Sequence, residues 1–256
     1  MVLLSCQHTE RVTLAVDFSQ AAHWHYLLGV DINGALRAGD SSRDFSTSLR
    51  TYLKGGLLTH DSTAVLFKTG QTVITSNFLS DQDRGNLTRQ IDNATLDFSP
   101  RDGAFETTDP SLKPFVNVGG WNLLRSFARV MPALPGSPVR VGSTWDRERT
   151  FPLETDHGNA TGWLYQSFTL DSISAVDSQR CAFLSWRFSY RIQPDKSDAA
   201  TMLDTLPLKG SGNGSALIGL GSKTLLKAHA AFEVPAEPKS PVKASWQESV
   251  HLELVN

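Results

Sequence analysis

The chain has 256 residues, 40% of them apolar, and a formal net charge of -2. Acidic and basic residues are interspersed, which argues against a nucleic-acid groove, since that needs a basic stripe. No apolar run approaches the ~20 residues of a membrane-spanning helix, and two cysteines make no disulfide framework.

At the start, Leu3-Leu4-Ser5-Cys6 matches a bacterial lipobox: Leu, a second apolar residue, a small residue and then the Cys that is acylated. A secretory signal has a charged n-region and an apolar run of about 7–15 residues before its cleavage site. Only Met1 to Ser5 precede Cys6. Two expectations follow. Either the native start lies upstream of Met1 and Cys6 carries lipid, or the match is chance and Cys6 is an ordinary thiol. The first tethers the protein to a membrane surface without spanning it, in the periplasm or at the cell surface. The second leaves a cytoplasmic protein. The other cysteine, Cys181, lies in a strand pattern and reads as structural.

Strict alternation is the dominant signal from there on. Val12, Leu14, Val16 and Phe18 share one face of a first strand. Trp24, Tyr26, Leu28, Val30 and Ile32 line a second, and Asn33-Gly34 then reads as a hairpin turn. Strands follow at 47–52, 62–68 and 71–76, with a turn at Gly70 between the last two. Asp102-Gly103 joins a pair at 94–99 and 104–107. Long strands are expected at 145–152, 161–174 and 180–192. In the last of these Ala182, Leu184, Trp186, Phe188, Tyr190 and Ile192 form one apolar face. Leu226 to Val234 alternates again, as does Val242 to Leu254, where Glu248 breaks the apolar row. Strands with one apolar and one polar face belong to antiparallel sheets wet on one side. Gly210-Ser211-Gly212-Asn213-Gly214-Ser215 lacks the Gly-Lys-Ser/Thr ending of a phosphate loop and reads as a flexible turn or bulge.

Two segments read as helices. Ser80 and Asp83 make a capping-box-like start to a helix near 80–91. Trp121, Leu124, Phe127, Ala128 and Met131 fall on one face of a second, near 121–131, which Pro132 ends. The expected organisation is a tail over 1–8, a β-rich half over 9–131 and a second over 139–256, with separate cores or one between them. The fold class is therefore mainly β: antiparallel curved sheets, half-barrel or sandwich-like, with one or two short helices.

No constellation commits to a reaction. There is no Gly-x-Ser-x-Gly elbow and no His-Glu-x-x-His. His23 and His25 share a strand face opposite Trp24 and Tyr26 and read as solvent-facing. No catalytic residue, metal ligand or cofactor is expected. The aromatic residues of the strand faces are core, or they line the interior of a half-open sheet that holds an apolar ligand.

The segment Pro138-Val139-Arg140-Val141-Gly142-Ser143-Thr144-Trp145 resembles a Pro-x-x-x-Val-Gly-Asp-x-Trp segment of uncharacterised bacterial envelope proteins, many of them predicted lipoproteins. The resemblance covers roughly the second half of the chain. It implies an envelope location and a fold style, not a mechanism. Ser143 stands where Asp is usual, and a hydroxyl there serves the same turn-stabilising purpose.

The resulting expectation is a non-enzymatic bacterial cell-envelope protein. It would bind a lipid or other apolar small molecule, or an envelope partner protein, through a curved sheet, with Trp24, Tyr26, Trp186, Phe188 and Trp246 at the ligand and Cys6 as the lipidation site. The alternatives are a structural or assembly subunit that docks another chain by a sheet face or edge, and an enzyme whose site is assembled from distant residues.

Overall fold

A face of alternating apolar side chains is buried only when strands pair in register, and this chain pairs nearly all of its alternating segments into one sheet. The structure, a computed structural model, describes residues 10–57, 65–92, 94–101, 104–107, 130–155, 158–194, 209–235 and 242–255. Its strands are β1 His25–Ala38, β2 Ser41–Leu57, β3 Val65–Ser76, β4 Thr95–Arg101, β5 Ala104–Thr107, β6 Thr144–Thr155, β7 Gly158–Val176, β8 Gln179–Pro194, β9 Lys209–Gly219, β10 Thr224–Val234 and β11 Val242–Leu254. They form an 11-stranded sheet in the order β5-β4-β3-β2-β1-β11-β10-β9-β8-β7-β6. Every paired neighbour is antiparallel. The sheet is curved and unclosed. Two meanders, β1–β5 and β6–β11, are joined by the pairing of β1 with β11.

One face of the sheet is the core. Tyr26, Leu28, Val30 and Ile32 of β1 are buried, as are Leu49 and Leu53 of β2, Leu184, Trp186 and Phe188 of β8, and Val250 and Leu252 of β11. They belong to one apolar cluster that spans both meanders. The helix α1, Asp81–Asp92, lies against β3 and buries Leu87 and Ile91. Ser80 caps it, its Oγ accepting from the Asp83 N–H at 3.1 Å, which satisfies one of the orphan donors of the first turn.

Four local expectations are corrected. Asn33-Gly34 is not a hairpin turn: β1 runs through it and turns at Gly39, whose φ is +57°. Gly34 is needed for space, since a side chain there would collide with Phe45 and Trp246. Gly70 is not a turn between two strands. β3 continues past it through a bulge opposite Arg50 and Tyr52, with Gln71 at φ 54°. Gly210 to Ser215 is not a flexible loop but most of β9. Residues 12–18 do not join the sheet: Val12 makes an isolated bridge to Val139, Val12 and Leu14 are buried on the apolar face, and Phe18 begins a 3-10 helix, Phe18–His23. The expected helix over 121–131 and the Cys6 motif lie outside the described residues, apart from Val130 and Met131, which are buried.

Candidate functional site: the apolar face

The floor of the face is built from a register that sequence does not display. One ladder row crosses it: Trp145, Phe168, Trp186, Gly214, Ala230, Val250, Val30, Leu49. In β9 the glycines occupy the buried positions and the polar residues the wet ones. Trp186, Phe188 and Tyr190 of β8 lie over Gly214, Gly212 and Gly210 in turn, and a Cβ at any of these would overlap the ring above it. Rings covering backbone at cross-strand glycines keep a strand paired that would otherwise be weak. Trp145 stacks on Phe168 and Phe168 packs tilted against Trp186, with centroids 5.6 Å apart at each step. On the other meander Phe18, Trp24, Tyr26 and Phe67 make a chain of edge-on contacts at 5.4, 6.0 and 6.1 Å.

The five residues expected at a ligand are thus placed on one face of one sheet. Trp24, Tyr26, Trp186 and Phe188 are buried, at 2–4% exposure. Trp246 is half-buried. The Trp24/Tyr26 pair and the Trp186/Phe188 pair lie on opposite sides of the β1–β11 seam, so they do not form one contact group.

Two straps cross one end of this face. The first is 10–24. Glu10 pairs with Arg180 at the start of β8, the Asp17 N–H donates to the Lys223 carbonyl at 2.7 Å in the β9–β10 turn, and Gly55 N–H of β2 donates to Trp24 carbonyl at 2.9 Å. The second is 130–143, in which Met131, Ala133 and Leu134 are buried. It is held by Trp145, whose indole N–H donates to the Ala133 carbonyl at 2.8 Å. Ser143 completes its turn: its hydroxyl accepts from the Arg140 N–H at 3.1 Å and its own N–H donates to the Arg140 carbonyl at 2.9 Å, with Gly142 at φ +84°. That is the turn-stabilising role expected of a hydroxyl at this position. The straps are joined to each other by the Val12–Val139 pair, at 2.8 and 2.9 Å.

Polar atoms within the face are few, and each is informative. The Tyr26 hydroxyl donates to the Leu225 carbonyl at 2.8 Å, and burial pushes its pKa far above the ordinary tyrosine value. Glu248, the exception in its strand's alternation, sits on the buried side at 4% exposure, opposite Ile32 on β1 and Phe232 on β10. The Trp186 indole Nε1 is buried with no hydrogen-bond partner among the described residues.

Away from the straps, at the opposite end of the seam, a cavity of about 490 Å³ is lined by Asn33, Asp44, Ser211, Glu233 and Gln247 of the wet face, with Trp246 beside them. Val234 and Pro235 also line it, so its walls are mixed, about as apolar as they are polar. The histidines read as solvent-facing, His23 and His25, are both exposed. Cys181 is buried and free, its pKa raised by burial. No cluster of three His, Cys, Asp or Glu suited to a metal ion occurs among the described residues.

No protein-family model matches the sequence, and no curated protein matches it. Solved structures resemble it in fold. Lipovitellin, described for its lipid-protein interactions, aligns with 91% of this chain at 11% identity and TM-score 0.47, and the chain spans 25% of the lipovitellin chain. The hypothetical lipoprotein YmcC from Escherichia coli aligns over 94% of this chain and 89% of its own at 11% identity and TM-score 0.35. The LolA superfamily protein NE2245 from Nitrosomonas europaea aligns over 93% and 92% at 9% identity and TM-score 0.23. At such identities and scores these are likenesses of sheet architecture and say nothing of ligand or location.

Proposed function

We propose that this protein is a non-enzymatic binding protein of the bacterial cell envelope that holds an apolar ligand on the inner face of its curved sheet. Trp24, Tyr26, Trp186, Phe188 and Trp246 would contact the ligand. Anchoring through lipid at Cys6 belongs to the same reading and rests on Leu3-Leu4-Ser5-Cys6 alone.

One observation carries the proposal. The apolar face of an unclosed sheet is covered, as far as the described residues go, by the helix α1 and irregular straps rather than by a second layer of strands. Such segments open at a smaller free energy than the sheet beneath them. The described straps cross one end, and the half-buried Trp246 stands toward the other. A ligand that entered there would slide along aromatic rings already held in place by glycine rows and ring stacking, so little ordering cost would attach to binding.

Tryptophan emission reports directly on the site. Protein stripped of lipid and titrated with a long-chain fatty acid ester should show a saturable blue shift or quenching, and organic extraction of the protein as purified should yield bound lipid. An unchanged spectrum together with an empty extract would sink this reading and put first the alternative in which a sheet face or edge docks a partner chain.

A further inference from the structure

Trp186 breaks a habit of this fold. Other buried polar tips on aromatic residues find a carbonyl: Trp145 reaches Ala133 at 2.8 Å and Tyr26 reaches Leu225 at 2.8 Å. Trp186 is 2% exposed and its N–H reaches no acceptor among the described residues. A buried donor without an acceptor destabilises the fold that contains it, so such groups are rare and call for a reason.

The ring cannot turn freely to find one. Phe168 packs tilted against it from β7, centroids 5.6 Å apart, and on the β9 side it lies on Gly214, with Nε1 2.7 Å from where a Cβ on Gly214 would stand. The polar edge of the indole therefore lies over β9. Beyond it the floor is low. Gly214 and Ala216 on β9 and Ala228 and Ala230 on β10 are all on the buried side and in mutual register. Past them the floor rises again at Val250 and Leu252 of β11. The N–H edge thus borders a buried strip of small apolar residues between β8 and β11, with an unpaired donor at its side.

We infer that Trp186 is the specificity-determining residue of the ligand site, and that the ligand is a long-chain amphiphile whose uncharged ester carbonyl accepts a hydrogen bond from the Trp186 indole N–H. This rests on the apolar-ligand reading above. An uncharged acceptor is indicated because a carboxylate placed against so apolar a strip would lose its hydration without a counter-charge. The acyl chain then lies over the small residues of β9 and β10, and the carbonyl satisfies the Trp186 donor.

Two fluorescent polyenes separate the terms. The methyl ester of cis-parinaric acid carries an acceptor; 1,6-diphenylhexatriene has none. The wild-type protein should bind both. Trp186→Phe keeps an aromatic ring over Gly214 and removes only the donor. It should weaken the ester about tenfold and leave the hydrocarbon within about twofold. Equal affinity of Trp186→Phe and wild type for the ester would overturn the inference while leaving the apolar-ligand reading standing. Failure of the wild type to bind either probe would overturn that reading itself. A measurement on the wild type guards against a variant that does not fold. The Trp186 indole proton resonance should move downfield on adding the ester and not on adding the hydrocarbon, and a resonance unmoved by saturating ester would also overturn the inference.

Discussion

His229 of β10 and His251 of β11 face each other directly on the wet side of the sheet, with ring centroids 4.5 Å apart and planes 25° from parallel. The Ser249 hydroxyl lies between their Nε2 atoms, at 3.0 and 2.9 Å. One hydroxyl can donate to one imidazole and accept from the other, so this arrangement suits two neutral rings.

Burial holds both histidines below the ordinary value, and for His229 the facing charge of His251 adds to it. Around His251, Asp31 and Glu253 act to raise its pKa while Arg50 and Lys227 act to lower it. In the unfolded chain a histidine takes its proton near about 6.5. Between that value and the lower folded ones the unfolded chain binds more protons, so stability rises with pH there. The full stability is present above about 6.5 and is lost as pH falls through that value toward the folded-state ones. Urea midpoints measured at steps between pH 7 and 5 should therefore decline on the acid side. Replacing both residues, His229→Asn with His251→Asn, should flatten the slope. An unaltered slope would show that the pair does not titrate with folding.

Gly214→Ala should destabilise the protein by about 1–3 kcal/mol, since the new methyl would have to displace the Trp186 ring. Asn213→Ala, one residue away and exposed on the wet face, should change stability by under about 0.5 kcal/mol. Denaturant unfolding of the two variants tests the assignment of faces in β9. Similar losses for both would mean that the register of β8 against β9 is wrong.

Trp145→Phe keeps an aromatic ring but leaves the buried Ala133 carbonyl without its donor. The expected cost is about 1–3 kcal/mol, concentrated in one place. Amide exchange in 131–135 should accelerate far more than in β7 or β8. A uniform acceleration over the whole sheet would show that the strap is not a separate opening unit.

If Cys6 is a lipidated cysteine, the gene product expressed in a bacterium with its native start should carry labelled fatty acid and partition into detergent, and Cys6→Ser should lose both properties. Equal labelling of the variant would remove the lipid anchor from the proposed function without touching the apolar face.

Much of the fold was legible in alternation, because alternation reports directly on which side chains leave water. Ala182 to Tyr190 and Ala228 to Val234 turn their apolar residues to the core as their sequences imply. What alternation does not report is pairing. Val12 and Leu14 carry the pattern of a strand, yet they meet the pattern's demand by lying on the sheet rather than in it. Glycine misled for a related reason. Gly34 and Gly214 look like turn residues when read along the chain, and the rings that require them, Phe45 and Trp186, stand on neighbouring strands. The unpaired Trp186 donor was invisible for the same cause: a missing acceptor is a property of the surroundings, not of the residue. Glu248 was the one local signal. A carboxylate in an otherwise apolar row marked the buried face as something more than packing.

The joining of β1 to β11 has a consequence for how the molecule is made. Most pairings in the sheet are between strands consecutive in the chain, and each can form as soon as its second strand leaves the ribosome. β1 has one such partner, β2, and its other edge stays open until β11 is made, after every other strand of the sheet. An open edge is a template for any passing strand, and long-range pairing is the slow step of β-sheet assembly. The nascent first meander is thus the stage at which this protein is most exposed to aggregation.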